Sequence, residues 1–593
     1  MSRRAASPAA RRAPRRRTPA RPRAGARAEP LTGARIVWEC LVREGVSHVF
    51  GYPGGAILPV YDSLPDYPVH HVLARHEQGA VHMADGFARA GGGVGVALAT
   101  SGPGATNMVT GIATAMMDSS PVVCITGQVS SGLIGSDAFQ ETDITGVTLP
   151  ITKHNYLVTE ADEIAPALRE AFYIARSGRP GPVLVDITKD AQQGAAAFDW
   201  DAAEPTPPGY RPDHRPRAAE YRQALDLING ARRPVMLVGH GVALGRAEEL
   251  VRAFAERSTI PVAVTLLGIG AFPASHPLHL GMMGMHGEAW VNEAVQQADL
   301  LIALGMRFDD RVTGTLSTFA PGARKIHVEI DPAELNKNVT VDVGLVGDVG
   351  EVLAALLPGV APNDHSAWLA RIDEIRQHAA SRSIQNFADD GRLYAAHAIH
   401  DLWQATGGRA VVVTDVGQHQ MWEAQYYRHD APRSLITSGG LGPMGFGLPA
   451  AIGAKLARPE ADVWVVVGDG GFQMTMAELG TLVQERIKIN IAIINNGYLG
   501  MVRQLQEFFY GARYHATPLV NPDFVTLASA YGIRGIRVTD RAGVIPAVDA
   551  ATAHDGPVLL DIRVEPDDAV YPMVAAGAGL DQMIRRPAQE IVE

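Results

Sequence analysis

Short apolar runs rich in Val, Ile and Leu alternate with longer amphipathic segments from about residue 31 onward. Such short runs are typical of strands buried on both faces, and the segments between them are long enough for helices. This alternation predicts βαβ units on parallel sheets. The predicted strands are His48–Phe50, Val94–Ala99, Val122–Thr126, Val183–Ile187, Val235–Val238, Val262–Thr265, Leu300–Leu304, Ile326–Ile330, Val411–Thr414, Val463–Val467, Ile489–Ile494 and Val558–Ile562.

Two polar stretches, at residues 200 to 217 and near residue 362, divide these strands into three groups. We therefore predict an α/β protein with three domains of parallel sheets flanked by helices. The first and last groups end on nearly the same strand, Gly181-Pro-Val-Leu-Val-Asp-Ile187 and Gly556-Pro-Val-Leu-Leu-Asp-Ile562. This match indicates two similarly built domains around a different one, although buried strands use few residue types and one short match can arise by chance.

The charge of the chain is unevenly distributed. Of its 52 basic and 63 acidic residues, ten arginines and one acid, Glu29, lie in residues 1 to 30, so the remainder has a net charge of −20. An acidic body argues against general nucleic-acid binding. We expect residues 1 to 30 to form a disordered extension rich in Arg, Pro and Ala, because five prolines oppose the amphipathic helix of a transit peptide.

Length and composition also restrict the class of protein. With 593 residues, 47% of them hydrophobic, the chain can bury several cores. No apolar run approaches the roughly 18 residues that span a bilayer, so we predict no transmembrane helix. The two cysteines, Cys40 and Cys124, are too few for a disulfide framework or a four-ligand zinc site, and a reducing cytoplasm fits this composition.

A candidate phosphate and metal site follows two neighbouring predicted strands. One strand runs into Gly468-Asp469-Gly470-Gly471 and the next runs into Asn495-Asn496, with one helical segment between them. The carboxyl ends of parallel strands meet at one edge of a sheet, so Asp469 and Asn496 can converge. The glycines let backbone N–H groups approach a diphosphate, and the two side chains offer oxygen ligands that suit Mg²⁺.

Each half of this pattern is weak by itself, since a Gly-Asp-Gly after a strand is most often only a turn. Their combination across one strand-helix-strand unit resembles the thiamine-diphosphate signature. Two further segments, Gly439-Gly-Leu-Gly-Pro-Met-Gly445 and Arg75-His-Glu-Gln-Gly-Ala80, strengthen the likeness. From about residue 31 to 580 the chain resembles the acetohydroxyacid synthase family of thiamine-diphosphate enzymes.

The resemblance implies that the last third of the chain binds thiamine diphosphate. Asp469, Asn496 and the backbone carbonyl of Tyr498 would bind Mg²⁺. Gly442 and Met444 would hold the aminopyrimidine, and Met444 would bend the cofactor into its V shape. The residues expected around the diphosphate are Gln418, His419, Gly468, Gly470, Gly471, Gly500 and Met501.

The first third would supply the activating groups. The resemblance assigns to Glu77 the hydrogen bond that drives the aminopyrimidine into its imino form, whereas a glutamate at a helix start is otherwise most often a cap. Gln128 would donate its amide to a developing oxyanion. Lys153 would lie near the substrate channel, with a solvated surface lysine as the alternative. Further active-site contacts are carried over to Gly51, Tyr52, Pro53, Gly54 and Phe139.

The middle third resembles the FAD-binding domain of the family, although glycines after strands are weak evidence for a dinucleotide by themselves. No redox step requires this flavin, so its role would be structural. Met285 would line the substrate pocket, and Arg311 would bind the carboxylate of the second ketoacid with its bidentate guanidinium. The expected FAD contacts are His286, Arg307, Glu329 and Asp348.

The resemblance also implies an organisation of domains and subunits. Residues 31–195 would bind the pyrimidine, 215–360 FAD, and 385–565 the diphosphate and Mg²⁺, with residues 566–593 as a C-terminal arm. In this family the activating carboxylate and the metal site come from different subunits. A homodimer or homotetramer with active sites at the dimer interface is therefore expected, with a regulatory small subunit as a further partner and neither nucleic acid nor membrane.

The implied reaction decarboxylates pyruvate and condenses the hydroxyethyl unit with pyruvate or 2-ketobutyrate, the first common step of branched-chain amino acid biosynthesis. The open alternatives are a pyruvate oxidase, another thiamine-dependent decarboxylase or carboligase, and a protein of this fold without catalysis. Intact Glu77, Asp469 and Asn496 oppose the last of these.

One position departs from the family pattern. Leu505 stands where the family normally has a tryptophan, whose ring contacts the extra methyl group of 2-ketobutyrate and many herbicides. Loss of that apolar wall predicts a weak preference for 2-ketobutyrate and poor inhibition by sulfonylureas. The alternative is a packing variant that other residues compensate.

Overall fold

The computed structural model describes residues 30–91, 93–200, 205 and 207–587. Within them the chain forms three consecutive blocks, each with a six-stranded parallel sheet flanked by helices. The predicted fold class is therefore confirmed. The predicted disordered extension, residues 1–30, lies outside the described residues except for Pro30.

The first block runs from Leu31 to Ala196. Its strands are β1 (Leu31–Thr32), β2 (His48–Gly51), β3 (His70–Leu73), β4 (Gly95–Ala99), β5 (Val122–Gln128), β6 (His154–Val158), β7 (Val183–Thr188) and β8 (Ala195–Ala196). Its helices are α1 (Gly33–Arg43), α2 (Leu58–Ser63), α3 (Glu77–Gly91), α4 (Pro103–Asn107), α5 (Val109–Asp118), α6 (Ile144–Thr148), α7 (Ile164–Arg176) and α8 (Lys189–Gln193). The main sheet has the order β3-β2-β4-β5-β7-β6, and β1 pairs with β8 separately.

The middle block follows, from Ala218 to Ala380. Its strands are β9 (Pro234–Val238), β10 (Val262–Val264), β11 (His279–Met282), β12 (Leu300–Leu304), β13 (Arg324–Glu329) and β14 (Val343–Val346). Its helices are α9 (Ala218–Gly230), α10 (His240–Leu244), α11 (Glu248–Ser258), α12 (Ala289–Gln297), α13 (Asp310–Thr313), α14 (Val349–Leu356) and α15 (Ser366–Ala380). The sheet order is β11-β10-β9-β12-β13-β14. The order in which the chain adds strands reverses between β9 and β12, as it does in dinucleotide-binding folds.

The third block begins at Ala395 and is followed by a short antiparallel arm. Its strands and those of the arm are β15 (Val411–Thr414), β16 (Leu435–Ile436), β17 (Val463–Gly468), β18 (Asn490–Asn495), β19 (Arg534–Val538), β20 (Val558–Arg563), β21 (Met573–Val574) and β22 (Met583–Ile584). Its helices are α16 (Ala395–Thr406), α17 (Gln418–Tyr426), α18 (Gly447–Ala457), α19 (Asp469–Thr475), α20 (Leu479–Gln484), α21 (Gly500–Phe509), α22 (Phe524–Ala530) and α23 (Val544–Thr552). The sheet order is β16-β15-β17-β18-β20-β19.

The first and third sheets have the same topology. Read along each sheet, the strands follow one another in the same pattern of chain order, and the two matching sequence segments form β7 and β20, which hold equivalent places. The expectation of two similarly built domains around a different one is confirmed.

Every predicted strand is present, with ends within two residues of the observed ones. The predicted strands fill the interior positions of the three sheets. In the described part of the chain, sequence patterning missed the edge strands of these sheets, which are β3, β6, β11, β14, β16 and β19, and the two short antiparallel pairs, β1 with β8 and β21 with β22.

The first and third blocks pack through helices α3 and α18, which cross at small residues. A Cβ on Gly86 would collide with the carbonyl of Ala450, and one on Gly453 would collide with the carbonyl of Met83. Glycine at these positions lets the two backbones touch, and both blocks contribute side chains to one hydrophobic core. This contact fixes the first block against helix α18 of the third block. Nowhere in the described ranges does a helix have the length and apolar character needed to traverse a bilayer.

Candidate active site

The two predicted phosphate loops meet at the carboxyl edge of the third sheet. Strands β17 and β18 pair in parallel, and β17 leads directly into α19 at Asp469 while Asn496 follows β18. Both loops line one pocket together with Gln418, His419, Gly500 and Met501. The structure therefore brings together the predicted diphosphate and metal residues of this block.

The glycines of this pocket fit a site where the backbone itself approaches a ligand. A Cβ on Gly471 would collide with Asp415 Oδ1, and one on Gly500 would collide with Gln418 Oε1. A Cβ on Gly470 would lie 2.8 Å from Leu499. Side chains are excluded here, which lets a ligand approach the backbone at the start of α19, and such an arrangement suits a diphosphate.

Asp469 and Asn496 form the candidate metal site. Asp469 is 1% exposed, and its Oδ2 accepts hydrogen bonds from Gly497 N (3.1 Å) and Asn521 Nδ2 (2.6 Å). Burial raises the pKa of Asp469 to about 6, against the effect of these neutral donors. The neutral groups around Asp469 do not compensate the charge of its buried carboxylate, whereas a bound cation would.

The described residues contain no group of three His, Cys, Asp or Glu side chains suited to a metal ion. A metal at Asp469 would depend on one carboxylate, the Asn496 amide oxygen, the Tyr498 carbonyl and ligand oxygens. Asn496 Oδ1 already faces this turn, since it accepts from Tyr498 N at 3.1 Å. Such hard oxygen donors fit Mg²⁺, which prefers to share its coordination with phosphate and water.

Gln418 and His419 begin helix α17 and close the pocket. Burial lowers the pKa of His419 to about 3, so its ring is neutral, and Nε2 accepts from Gly468 N at 3.3 Å. Gln418 donates to Gln504 Oε1 (2.9 Å) and accepts from Asn496 Nδ2 (3.3 Å). These bonds hold both loops against α17 without adding charge.

The loop that contains Gly442 and Met444 lies beside the pocket. Gly442 has a φ of +67°, a left-handed conformation that favours glycine. Met444 lines the same pocket as Asp469, and its Cε would lie 3.4 Å from a Cβ on Gly470. The predicted aminopyrimidine loop and the predicted diphosphate loop are therefore neighbours.

Glu77 begins helix α3, is 9% exposed and accepts a hydrogen bond from Asn107 Nδ2 at 2.9 Å. A Cβ on Gly104 would lie 3.3 Å from Glu77 Oε1 and 2.8 Å from Thr100. Thr100 also touches Gly54, so the loop after β2 and the carboxylate form one cluster. Among the described residues, the diphosphate pocket of the same chain is lined by the third block alone and does not include this cluster.

The predicted contacts around Glu77 differ in exposure. Gly51 ends strand β2, Pro53 follows in the same turn, and Tyr52 is 41% exposed. Phe139 is 88% exposed, which is unusual for an aromatic side chain without a partner surface.

The polar groups of two predicted active-site residues, Gln128 and Lys153, form hydrogen bonds with other protein groups. The Nε2 of Gln128 donates to Asp186 Oδ2 (2.9 Å) and to the carbonyl of Thr142 (2.8 Å), so both of its N–H groups bond within the first block. Lys153 donates to the carbonyls of Ile174 and Ser177 and to the hydroxyl of Tyr210, and burial lowers its pKa to about 8. Neither of the two cavities described here includes Lys153, which is a partly buried lysine with three hydrogen bonds and not a solvated one.

A cavity of about 770 Å³ lies at the carboxyl edge of the middle sheet, between this block and its two neighbours. It includes the turns after β9 and β12, where the strand order reverses and dinucleotides bind in related folds. The predicted flavin residues line it, namely His286, Arg307, Glu329 and Asp348, as do three of the four predicted substrate residues, Met285, Arg311 and Leu505. The fourth predicted substrate residue, Phe139, is absent from this lining.

Several buried polar side chains of this cavity can form hydrogen bonds with a ligand. Burial raises the pKa of Glu329 to about 7, and one of its oxygens accepts from the N–H groups of Ile330 and Asp331. Burial lowers the pKa of His286 to about 4, and Asp348 caps helix α14. A close approach of Gly241 to Gly305, where a Cβ on either would collide with the other, leaves room for a ligand at the switch point. These features fit a flavin dinucleotide.

Three of the predicted substrate residues on this lining are one cation, Arg311, and two apolar side chains, Met285 and Leu505. Arg311 Nη1 lies 3.1 Å from Met285 Sδ, and Leu505 is 36% exposed. Met501 lines both this cavity and the diphosphate pocket, so the two cavities adjoin.

Sequence reasoning missed Arg179, which lines the large cavity from the first block. Its Nη1 donates to Glu334 Oε1 (2.8 Å) of the middle block. The loop that carries it, Ser177-Gly-Arg-Pro180, has no recognisable metal or phosphate pattern, so only the packing of two blocks reveals it.

Family comparisons match each block. The model for the N-terminal TPP binding domain of thiamine pyrophosphate enzymes matches residues 31–147. The models for their central domain and their C-terminal TPP binding domain match residues 221–356 and 415–562. With the pocket described above, these matches define the protein as an enzyme that uses thiamine pyrophosphate, which is thiamine diphosphate under another name.

Comparison with curated relatives shows which family of thiamine pyrophosphate enzymes the chain belongs to. The acetolactate synthase large subunit of Mycobacterium tuberculosis is 51% identical over 571 residues, covering 94% of this chain and 91% of the relative. That of Corynebacterium glutamicum is 50% identical over 564 residues, covering 93% and 89%. The acetolactate synthase isozyme 2 large subunit of Escherichia coli is 46% identical over 561 residues, covering 94% and 100%. The chain belongs to the acetolactate synthase large-subunit family.

Proposed function

We propose that the protein is an acetolactate synthase, which decarboxylates pyruvate and condenses the two-carbon unit with pyruvate or 2-ketobutyrate. The observation that supports this most is the junction of two cavities at Met501, with Arg311, Met285 and Leu505 on the side away from the diphosphate pocket. A ketoacid bound there lies beside the predicted aminopyrimidine loop.

The assay of this proposal is acetolactate formation from pyruvate, with thiamine diphosphate, Mg²⁺ and FAD each omitted in turn. Acetolactate that depends on thiamine diphosphate and Mg²⁺ would support the proposal. Oxygen consumption with pyruvate and no acetolactate would identify a pyruvate oxidase instead.

Mg²⁺ would be bound by Asp469, Asn496 and the Tyr498 carbonyl, and the glycine loops would hold the diphosphate. When bound, thiamine diphosphate supplies the carbon nucleophile and accepts the electrons released with CO₂. Met444 would support the aminopyrimidine, and Glu77 would exchange a proton with its ring nitrogen.

The chain's own groups would orient the ketoacids. The Arg311 guanidinium offers a bidentate partner for a carboxylate at the mouth of the cavity. Met285, Leu505 and Met573 form an apolar wall that excludes water near the reacting carbon. Such a wall favours loss of CO₂ and protects the two-carbon unit from protonation.

FAD would occupy the large cavity in a structural role. Its binding there would join all three blocks, because the cavity is lined by Arg179 of the first, Glu329 of the middle and Gln420 of the third. The proposed condensation transfers no electrons to a flavin, so FAD would stabilise the arrangement of the blocks.

A second copy of the chain would complete each active site. Glu77 and its cluster lie outside the diphosphate pocket of their own chain, and large apolar side chains are exposed in both the first and the third block. They are Leu133, Phe139 and Leu149 in the first block and Leu441, Met474 and Val520 in the third. Burying these groups against a second subunit would give a homodimer, alone or within a homotetramer. A regulatory small subunit, which the "large subunit" in the relatives' names suggests, would be a further partner.

Subunit complementation follows from this arrangement. Glu77→Gln and Asp469→Asn should each be inactive alone, because each removes one half of every site. After unfolding and refolding together, about half of the dimers would be mixed and each would have one intact site, so about a quarter of the wild-type activity should return. The activity of the refolded mixture, compared with each variant refolded alone, measures this. A mixture as inactive as its components would place both residues in the same subunit's site.

Leu505 should determine acceptor choice. The wild-type protein is expected to show a weak preference for 2-ketobutyrate, and Leu505→Trp should raise the ratio of acetohydroxybutyrate to acetolactate about tenfold or more, since one methylene in an apolar pocket is worth about 1–3 kcal/mol. Sulfonylurea inhibition should tighten in the same variant. Competition between equal pyruvate and 2-ketobutyrate measures the ratio.

Phe509→Trp is the matched control for Leu505→Trp. Phe509 lies one turn further along α21, is 44% exposed and is absent from the residues that line the cavity in the described chain. It should leave the product ratio unchanged. Strong 2-ketobutyrate preference and tight sulfonylurea inhibition in the wild-type protein would contradict the role given to Leu505.

A further inference from the structure

A buried cluster of three charged side chains lies where helices α3 and α5 meet the third block. Arg89 donates from Nε to Asp85 Oδ1 (2.7 Å) and from Nη2 to Asp118 Oδ2 (2.9 Å), while Nη1 donates to the carbonyl of Thr437 (2.7 Å). None of the three charged side chains is more than 6% exposed. Two carboxylates face one guanidinium, so the cluster has an excess negative charge that requires further hydrogen-bond donors.

Asp118 receives these donors from the backbone of the third block. Its Oδ1 accepts from Gly440 N at 2.7 Å and its Oδ2 from Gly439 N at 3.2 Å. Gly440 is packed so closely that a Cβ would lie 2.8 Å from Met117 Cβ and 2.9 Å from Asp118 Oδ1. A side chain at residue 440 would therefore push the loop away from the aspartate.

The same loop is held at its other end by a second buried aspartate. Asp415 Oδ2 accepts from Gly445 N (2.9 Å) and Gly447 N (2.8 Å). The segment between the two anchors contains Gly442 and Met444, the proposed contacts of the aminopyrimidine. Asp415 belongs to the block that carries the loop, whereas Asp118 reaches it from the first block.

We propose that Asp118 is a positioning residue for the aminopyrimidine loop, which it holds through the N–H groups of Gly439 and Gly440. Arg89 fixes the Asp118 carboxylate, and the carbonyl of Asp118 accepts from His240 Nδ1 (3.0 Å) of the middle block. All three blocks thus meet at the residue that anchors the loop. Preorganised backbone at Gly442 and Met444 lowers the cost of ordering the loop when a ligand binds. This inference rests on the proposed function for the identity of the ligand only.

Calorimetric titrations of the full-length protein test this role. Asp118→Asn replaces the charged acceptor by a neutral amide, and its affinity for thiamine diphosphate with Mg²⁺ should fall about tenfold, as expected for losing hydrogen bonds to a charged group. Inorganic diphosphate with Mg²⁺ occupies only the glycine loops, so its affinity should change less than about twofold, because that ligand does not reach the aminopyrimidine loop.

Asp85→Asn is the matched control. Asp85 binds the same arginine at a similar distance and is equally buried, but no contact joins it to the loop among the described residues. It should lower thermal stability as much as Asp118→Asn does while keeping both affinities near the wild-type values. If Asp118 had only a structural role, the two variants would have the same affinities for both ligands.

Two results would overturn the proposal: unchanged affinity of Asp118→Asn for thiamine diphosphate, or equal loss of affinity for both ligands. If Asp118→Asn does not fold, Gly440→Ala breaks the same contact from the other side and should show the same selective loss. Affinity of Gly440→Ala equal to the wild type for thiamine diphosphate would again reject the role. These titrations do not use turnover, so a wild-type protein that binds the cofactor but makes no acetolactate would refute the proposed function and leave this inference standing.

Discussion

Glu77→Gln is expected to lower kcat for acetolactate formation by about 10³, within the range of a lost acid-base group. Asn107 Nδ2 holds Oε2 of Glu77, and the absence of a side chain at Gly104 leaves space beside Oε1. A glutamine keeps the shape but cannot exchange a proton with the aminopyrimidine. The affinity for thiamine diphosphate should stay within about tenfold of the wild type, because the diphosphate loops are untouched.

The control for this change is Glu44→Gln. The Glu44 side chain is 8% exposed and pairs with Arg176 at 2.6 Å, and among the described residues Glu44 lines neither the large cavity nor the diphosphate pocket. It should lose some stability and keep its turnover. Wild-type turnover of Glu77→Gln, measured as acetolactate formed at saturating pyruvate, would reject the role of Glu77.

Asp469→Asn is expected to abolish activity by a different route. It removes the carboxylate of the proposed metal site, so the affinity for thiamine diphosphate in the presence of Mg²⁺ should fall by about 100-fold or more, since even outer partners of metal ligands contribute about 10- to 100-fold. Titration with Mg²⁺ and thiamine diphosphate distinguishes this loss of binding from the kcat effect of Glu77→Gln.

Asp462→Asn is the matched control for Asp469→Asn. Asp462 precedes the same strand, β17, at its opposite end, where it accepts from Trp464 Nε1 (3.0 Å) and Asn490 Nδ2 (3.1 Å). It should leave the dependence on Mg²⁺ unchanged. Cofactor affinity of Asp469→Asn equal to the wild type would remove Asp469 from the metal site.

Local sequence patterns predicted the interior of each sheet and missed its edges for one physical reason. Interior strands such as β5 and β17 are buried on both faces and read as continuous apolar runs. Edge strands such as β6 (His-Asn-Tyr-Leu-Val) and β19 (Arg-Gly-Ile-Arg-Val) are largely accessible and carry polar residues. Their strand state depends on pairing with a neighbour that the local pattern does not contain.

The candidate site likewise contains some residues whose positions could be predicted from the sequence and others whose positions could not. Asp469 and Asn496 could be placed from the sequence because each directly follows a predictable strand of one βαβ unit. The positions of Gln128 and Lys153 could not, because each has a hydrogen-bond partner distant in the chain: Asp186 is 58 residues from Gln128, and Tyr210 is 57 residues from Lys153. The assignments carried over to these two residues remain predictions, and the geometry of the single chain gives them no support.

The sequence by itself determined the three blocks, the likeness of the first to the third and the phosphate loops, since each depends on residues close together in the chain. Only the tertiary structure revealed that Arg179 lines the large cavity and that Asp118 accepts hydrogen bonds from Gly439 and Gly440. These features join residues from different blocks. Their contacts arise from the packing of helices such as α3 and α18. The small residues of these helices allow a close approach, but they do not indicate which helix packs against which.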